Sequence, residues 1–172
     1  MASLMENLIE VLGQESNEYE GLLILSQKKT QVIASANLEN LQKITDEEQE
    51  VVDRITRLEK RRTEVTADIA NVLNKDVENL KLSNLVEMMA ARPREQAKLA
   101  EAHDRLRSSV QELRRVNEQN RELLENALDM VEFEMNLLQA AKSAPETANY
   151  TRTAYNSGAQ MGANSGNFDA KQ

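Results

Sequence analysis

The sequence predicts an all-α fold: an elongated antiparallel helical bundle or coiled coil of three long helices plus one short helix, with a disordered C-terminal tail. Apolar residues recur every three or four positions along most of the chain. Glycine is absent from position 22 to position 157, and the only prolines are Pro93 and Pro145. Because glycine and proline interrupt helices most strongly, long helices can form between them.

The first helix is predicted to run from Leu4 to about Ala34. Gly13 and Gly21 make it the loosest of the long helices, because each glycine costs about 1 kcal/mol relative to alanine inside a helix. Asn37 is a suitable N-cap for a second helix. Such a short connection joins antiparallel neighbours, so helices one and two are expected to form a hairpin.

The second helix is predicted from Leu38 to about Asn74. Its apolar row is interrupted only by Glu48 and Arg62, and we expect the row to contain Ile44, Glu48, Val51, Ile55, Leu58, Arg62, Val65, Ile69 and Val72. Outside this row, the i,i+4 spacing predicts ion pairs Glu50–Arg54 and Asp53–Arg57. The basic run at residues 60–62 is expected to be a solvated, salt-bridged face.

A short irregular link is followed by a predicted helix of one or two turns, capped by Ser83. Its Met88 and Met89 are expected to fill the core, and an adaptable binding surface is the alternative. Pro93 suits the first position of a helix, so the final helix is predicted to begin there and to run to about Ser143.

Three polar residues, His103, Asn117 and Asn120, continue the apolar row of this final helix. The apolar members of the row are Leu99, Leu106, Val110, Leu113, Leu124, Leu128, Val131, Met135 and Leu138. A polar residue on a packing face weakens packing but specifies register or partner. The chain is therefore expected to select a helical partner.

The final helix is longer than either helix of the hairpin, so its C-terminal turns are expected to overhang. The overhang contains the apolar row Leu124, Leu128, Val131, Met135 and Leu138, with Phe133 beside it. Such a row requires another chain or a kink that folds it back. Cover by helix one or by a bend stays open as the alternative.

Two regions are expected: a helical bundle at residues 1–143 and a flexible tail at residues 144–172. The tail contains no Leu, Ile or Val and cannot bury enough apolar area to order itself. It nevertheless holds Tyr150, Tyr155 and Phe168, three of the five aromatic residues of the chain. These side chains are either anchors for a partner or ordinary tail residues.

Composition excludes several functional classes. The net charge of -8 and pI of 4.9 disfavour nucleic acid as a partner. No apolar run exceeds four residues, so no membrane insertion is expected, and the N-terminus lacks the features of a signal peptide. The absence of cysteine fits a cytoplasmic protein.

Catalytic, metal and cofactor sites are not expected. His103 is the only histidine, so neither a hydrolytic triad nor a paired Glu-x-x-His metal site can be assembled convincingly within one chain. Phosphate-binding, dinucleotide-binding, HExxH and EF-hand motifs do not occur in the sequence. The chain is therefore expected not to be an enzyme.

Residues 113–138, LRRVNEQNRELLENALDMVEFEMNLL, resemble the last helix of the FlgN-type flagellar export chaperones, which carries N-x-x-N-x-x-L-L. Asn117, Asn120, Leu123 and Leu124 match that core. The first half of the chain is similar to the family's other elements at Glu15, Tyr19, Leu22, Leu23, Lys29, Ile33, Asn37, Leu38, Leu41, Ile44, Glu48, Gln49 and Val52.

The resemblance implies a cytoplasmic chaperone that binds the C-terminal helical segments of hook-associated (hook–filament junction) proteins and delivers them to the flagellar type III export gate. The expected client-binding residues are Asn117, Asn120, Leu123, Leu124, Leu128, Val131, Met135 and Leu138. Tyr150 or Tyr155 is expected to dock on the cytoplasmic domain of the gate, and Gly158 favours Tyr155. A chaperone for flagellin or the filament cap, a self-associating coiled-coil scaffold and a homodimer remain alternatives.

Overall fold

The computed structural model describes residues 2–76 and 80–143, and within these ranges every regular element is helical. α1 spans Ala2–Ala34, α2 spans Leu38–Leu73, α3 spans Leu82–Met88 and α4 spans Pro93–Ser143. A 3-10 turn, Met89–Ala91, follows α3. The all-α class and the bounds of the three long helices are confirmed. None of the described helices is both long and apolar enough to cross a membrane.

The chain divides into two compact units, Met1–Asp129 and Met130–Gln172. The first unit contains α1, α2, α3 and α4 as far as residue 129. The described part of the second unit is residues 130–143, which form the last turns of α4.

In the first unit, α1 and α2 form the predicted antiparallel hairpin. Ion pairs join Glu15 to Arg62 and Lys29 to Glu48, so numbers rise along α1 as they fall along α2. The hairpin turn is closed by Asn37, whose side chain accepts a hydrogen bond from the Asn40 backbone N–H at 3.0 Å. This bond satisfies one of the free donors at the start of α2, as predicted.

α4 lies against α1 and runs parallel to it. Arg105 donates to Glu20, and Thr30 donates to Asn120, so residue numbers increase in the same direction along both helices. The first unit is therefore an up-down-up arrangement of α1, α2 and α4. Its larger core is formed by buried residues of these three helices, of α3 and of the segments on either side of α3: Met5, Leu8, Leu12, Val65, Ile69, Ala70, Leu80, Leu85, Met89, Leu99 and Leu106.

Several local predictions about the short helix and the apolar rows need correction. α3 begins at Leu82, and Ser83 is not its cap, because the N-cap position is Lys81 and makes no side-chain capping bond. Met89 is buried in the core, as expected. Val72 is 57% exposed, whereas Ala70 is fully buried. Residues spaced alternately by three and four have an average repeat of about 3.5, whereas a straight α-helix has about 3.6 residues per turn. The row therefore rotates slowly around the helix, and at Val72 it no longer faces the core.

The predicted ion pairs within α2 are also wrong. Arg54 pairs with Glu18 of α1 at 2.9 Å, and Arg57 donates to the backbone carbonyl of Asp53. An arginine beside a neighbouring helix can reach across to it, and sequence spacing alone does not reveal this option.

α1 continues without interruption through both of its glycines.

Candidate client-binding site

Asn120 lies buried between α4 and α1, with only 4% of its surface exposed. Its Nδ2 donates to the Ser26 carbonyl at 2.8 Å, and the Thr30 hydroxyl donates to its Oδ1 at 2.5 Å. Both ends of the amide are therefore satisfied by one turn of α1. Because a shift of α4 along α1 would break both bonds and leave buried polar groups unpaired, Asn120 sets the register of the two helices.

Asn117 also contacts Ser26 of α1, as expected for a residue that faces the neighbouring helix, but it is exposed to solvent whereas Asn120 is buried. The Ser26 hydroxyl lies 3.0 Å from Asn117 Oδ1 and 3.1 Å from Glu48 Oε1. A hydroxyl carries one proton, so it donates to only one of these oxygens at a time. Ser26 is thus the point at which polar groups of α1, α2 and α4 meet.

Glu48 is held in place from a second direction. Lys29 donates from Nζ to Glu48 Oε2 at 2.7 Å, and both side chains are mostly buried. The ion pair explains why an acid interrupts the apolar row of α2. Replacement of either partner would leave the other charge poorly solvated.

A groove of about 390 Å³ opens beside this polar cluster. Its apolar lining includes Leu22, Val52, Leu124 and Leu128, and Arg121 and Glu125 line it as well. Leu123 and Leu124 are half-buried, whereas Leu128 is 68% exposed. The groove therefore combines apolar contact surface with a few polar groups that can orient a ligand.

In the second unit, the expected binding residues Val131, Met135 and Leu138 are all more than half exposed. The apolar surface is larger than the predicted row, because Met130 and Leu137 are exposed as well and Phe133 lies beside them. Sequence reasoning omitted Met130 and Leu137 because it followed a single helical row. Counting large apolar residues on every face of the last turns would have found them.

A second polar contact lies within the hairpin, where the Glu15 side chain is fully buried. Arg62 donates to Glu15 Oε2 at 3.0 Å, and the other oxygen, Oε1, has no hydrogen-bond partner among the described residues. Burial raises the pKa of Glu15 to about 7, although the positive charge of Arg62 opposes this change and nearby Glu59 adds to it. Arg62 is therefore not part of a fully solvated basic face.

Tyr19 donates to Glu59 at 2.9 Å one turn further along the same interface. Burial, together with the hydrogen bond to Glu59, raises the pKa of Tyr19 to about 12. The phenol therefore stays protonated and acts as a donor.

His103, expected on the packing face of α4, is half-buried, and its Nδ1 lies 3.2 Å from Asp104 Oδ1.

Residues 1–158 match the protein family described as FlgN protein. This chain belongs to the FlgN family. The family is that of the flagellar export chaperones, which are not enzymes, and membership implies binding of flagellar proteins. Uncharacterized protein YvyG of Bacillus subtilis (strain 168) is 27% identical over 131 residues, which are 76% of this chain and 78% of that protein. No solved structure matches the chain.

Several polar residues that resemble the FlgN pattern make hydrogen bonds or ion pairs between helices in this chain. Glu15 and Tyr19 join α1 to α2, Glu48 joins α2 to α1, and Asn120 joins α4 to α1. The FlgN-like residues thus explain how the bundle is held in register.

Tyr150 and Tyr155, the residues expected to dock on the export gate, lie outside the described residues. The proposed tail at residues 144–172 does so as well.

Proposed function

We propose that this FlgN-family protein is a cytoplasmic export chaperone that binds the C-terminal helical segments of hook-associated proteins, prevents their premature assembly and delivers them to the export gate. The observation that carries the proposal is the exposure of large apolar side chains at the end of α4. Leu128, Val131, Met135 and Leu138 are each between 53% and 68% exposed. Large apolar side chains concentrated in this way mark interaction surfaces.

The physical basis is helix-in-groove recognition. A client segment that otherwise assembles through coiled-coil contacts presents an apolar row, and the row on α4 offers it an equivalent surface. In the first unit, Asn117 and Leu124 line the groove beside Ser26, and together with Leu123 they are further proposed client-binding residues. Asn120 contributes indirectly, because its bonds to α1 hold that groove in shape.

The test replaces Leu128 and Val131 with Asp. We expect binding of the hook-associated C-terminal segment, measured by isothermal titration calorimetry, to be lost while the melting temperature stays within a few degrees of wild type. The matched control replaces Ile24 and Val72 with Asp, since these side chains are 53% and 57% exposed and belong to α1 and α2 rather than to α4. Collapse of the fold in the first variant alone would show that the row is part of the core.

Three alternatives are a chaperone for flagellin, a chaperone for the filament cap and a self-associating scaffold, and two experiments distinguish them. Parallel pull-downs with the C-terminal segments of hook-associated proteins, flagellin and the filament cap protein identify the client. Light scattering of the protein alone measures its oligomeric state. A stable oligomer that binds none of these segments would favour a self-associating scaffold, because the same apolar row could pair with a second copy.

The second half of the proposed function is delivery to the gate. We expect Tyr150→Ala or Tyr155→Ala to weaken binding to the cytoplasmic domain of the export gate and to leave client binding unchanged. An aromatic side chain buries a large area at a small cost in side-chain entropy, which suits a short docking motif. Unchanged gate binding in both variants would exclude these residues as the docking element.

A further inference from the structure

The last turns of α4 present two apolar faces. Face one consists of Val131, Met135 and Leu138, and face two consists of Met130, Phe133 and Leu137. All six side chains are between 53% and 67% exposed. With a rotation of about 100° per residue, the centres of the two faces lie roughly 130° apart around the helix.

This apolar surface is too wide for one helical partner. A helix that packs against a single neighbour needs an apolar stripe of about 100°. The arc from Phe133 through face two and face one to Met135 covers roughly 200° at the same rotation per residue. A helix that is apolar over most of its circumference is one that becomes enclosed on several sides.

Charge identifies the chemistry of the partner. Residues 122–143 of α4 contain one basic residue, Lys142 in the last turn, and five acidic residues: Glu122, Glu125, Asp129, Glu132 and Glu134. Glu134 lies in the narrow gap between the two faces, whereas Glu132 lies on the wider polar side. Both are exposed. Any helix that covers either face therefore places its flanking residues beside a carboxylate.

We propose that the end of α4 is enclosed by two amphipathic helices of one partner, each carrying Lys or Arg beside its apolar residues. The inference rests on the proposed function in so far as that partner is the client. A second copy of this chain is disfavoured because it would bring the same acids against each other. Residues 144–172 contain no Leu, Ile or Val, so their sequence offers no aliphatic row for an amphipathic helix.

The first experiment compares three triple variants. The first replaces the three residues of face one with Gln, and the second replaces the three residues of face two with Gln. The control replaces Ile24, Leu38 and Val72 with Gln; these side chains are 53%, 78% and 57% exposed. The probe is the C-terminal segment of a hook-associated protein. Circular dichroism of each variant confirms that its helix content is unchanged.

We expect each face variant to weaken binding at least tenfold and the control to bind as wild type does. Loss of binding in the face-one variant alone would overturn the inference, because a single helix would then suffice, while the proposed function would stand. If both face variants bind the segment with the affinity of wild type, the inference and the proposed function both fail.

The second experiment uses designed peptides and does not depend on the identity of the client. One probe is a single amphipathic helix with a leucine row flanked by lysine, and the other is a hairpin of two such helices. The inference requires the hairpin to bind at least tenfold more tightly than the single helix. If the hairpin binds in this way and no hook-associated segment does, the inference stands and the proposed function fails.

A charge variant completes the test. Replacement of Glu132 and Glu134 with Gln should weaken binding of the lysine-flanked hairpin and reduce the dependence of its affinity on salt. A hairpin flanked by glutamate should not bind to the wild-type protein. Equal binding of the lysine-flanked and glutamate-flanked hairpins would refute the charge requirement.

Discussion

Raising the pH through neutrality is expected to destabilise the helical hairpin through one buried carboxyl group, that of Glu15. Its side chain is fully buried, and only one of its two oxygens has a hydrogen-bond partner, the guanidinium of Arg62 at 3.0 Å. The free-energy cost of removing the carboxylate from water is larger than the stabilisation by the positive charge of Arg62. The pKa of Glu15 therefore rises from 4.5 to about 7.

The size and sign of the effect follow from proton linkage. Because the folded protein binds this proton more tightly than the unfolded chain does, the contribution to stability is fully present below pH 4.5 and is lost as the pH rises through about 7. A difference of about 2.5 between the two pKa values corresponds to about 3 kcal/mol. That is a large part of the stability of a typical domain.

The assay is urea unfolding followed by circular dichroism at a series of pH values from about 4 to about 8, which brackets both pKa values. Glu15→Gln removes the titrating group but keeps its shape. Its free energy of unfolding should gain about 3 kcal/mol relative to wild type across this range. Glu50→Gln, an exposed carboxylate of α2, is the control and should follow wild type.

Parallel curves of unfolding free energy against pH for wild type and Glu15→Gln would refute this role of Glu15. If wild type and Glu15→Gln lose or gain stability together at every pH, the buried carboxyl group does not bind its proton more tightly in the folded state.

Three further predictions concern stability, each measured by chemical unfolding. Gly13→Ala and Gly21→Ala should each stabilise by about 0.5–1 kcal/mol, since an added Cβ meets no atom within 4 Å at either site; no gain would imply a conformational role for the glycine. Asn120→Ala should cost about 1–3 kcal/mol by leaving buried groups of α1 unpaired, whereas Asn117→Ala should change stability by less than about 0.5 kcal/mol; equal effects would contradict the different burial of the two residues. Ala36→Gly should stabilise by up to about 1 kcal/mol, because Ala36 has a φ of 53° that glycine adopts without strain; a loss of stability would contradict this.

The sequence proposed residues for a client-binding site, and their binding role stays a prediction; it could not tell which of them are buried between helices. Asn117 and Asn120 occupy equivalent places in the apolar rhythm of α4, yet Asn120 is buried against α1 and Asn117 is exposed. The three-residue spacing rotates them by about 60° relative to each other, and only the position of α1 decides which one it covers. Tyr150 and Tyr155 stay predictions.

The sequence by itself determined the helices, because their signals are local: the apolar rhythm, Asn37 as a cap and Pro93 as the first residue of α4. These signals act within a few residues of one another and need no knowledge of the fold. It also showed that Glu48 and Arg62 interrupt an otherwise apolar row. It could not show why, because their partners lie on another helix.

Only the tertiary structure decided those partners. Lys29 and Glu15 are 19 and 47 residues away from Glu48 and Arg62 along the chain, and the antiparallel hairpin brings each pair within 3.0 Å. In the same register, Arg54 pairs with Glu18 of α1 instead of with Glu50 of its own helix. Contacts between helices depend on register and rotation together, and helical periodicity specifies which residues share a face without specifying what that face meets.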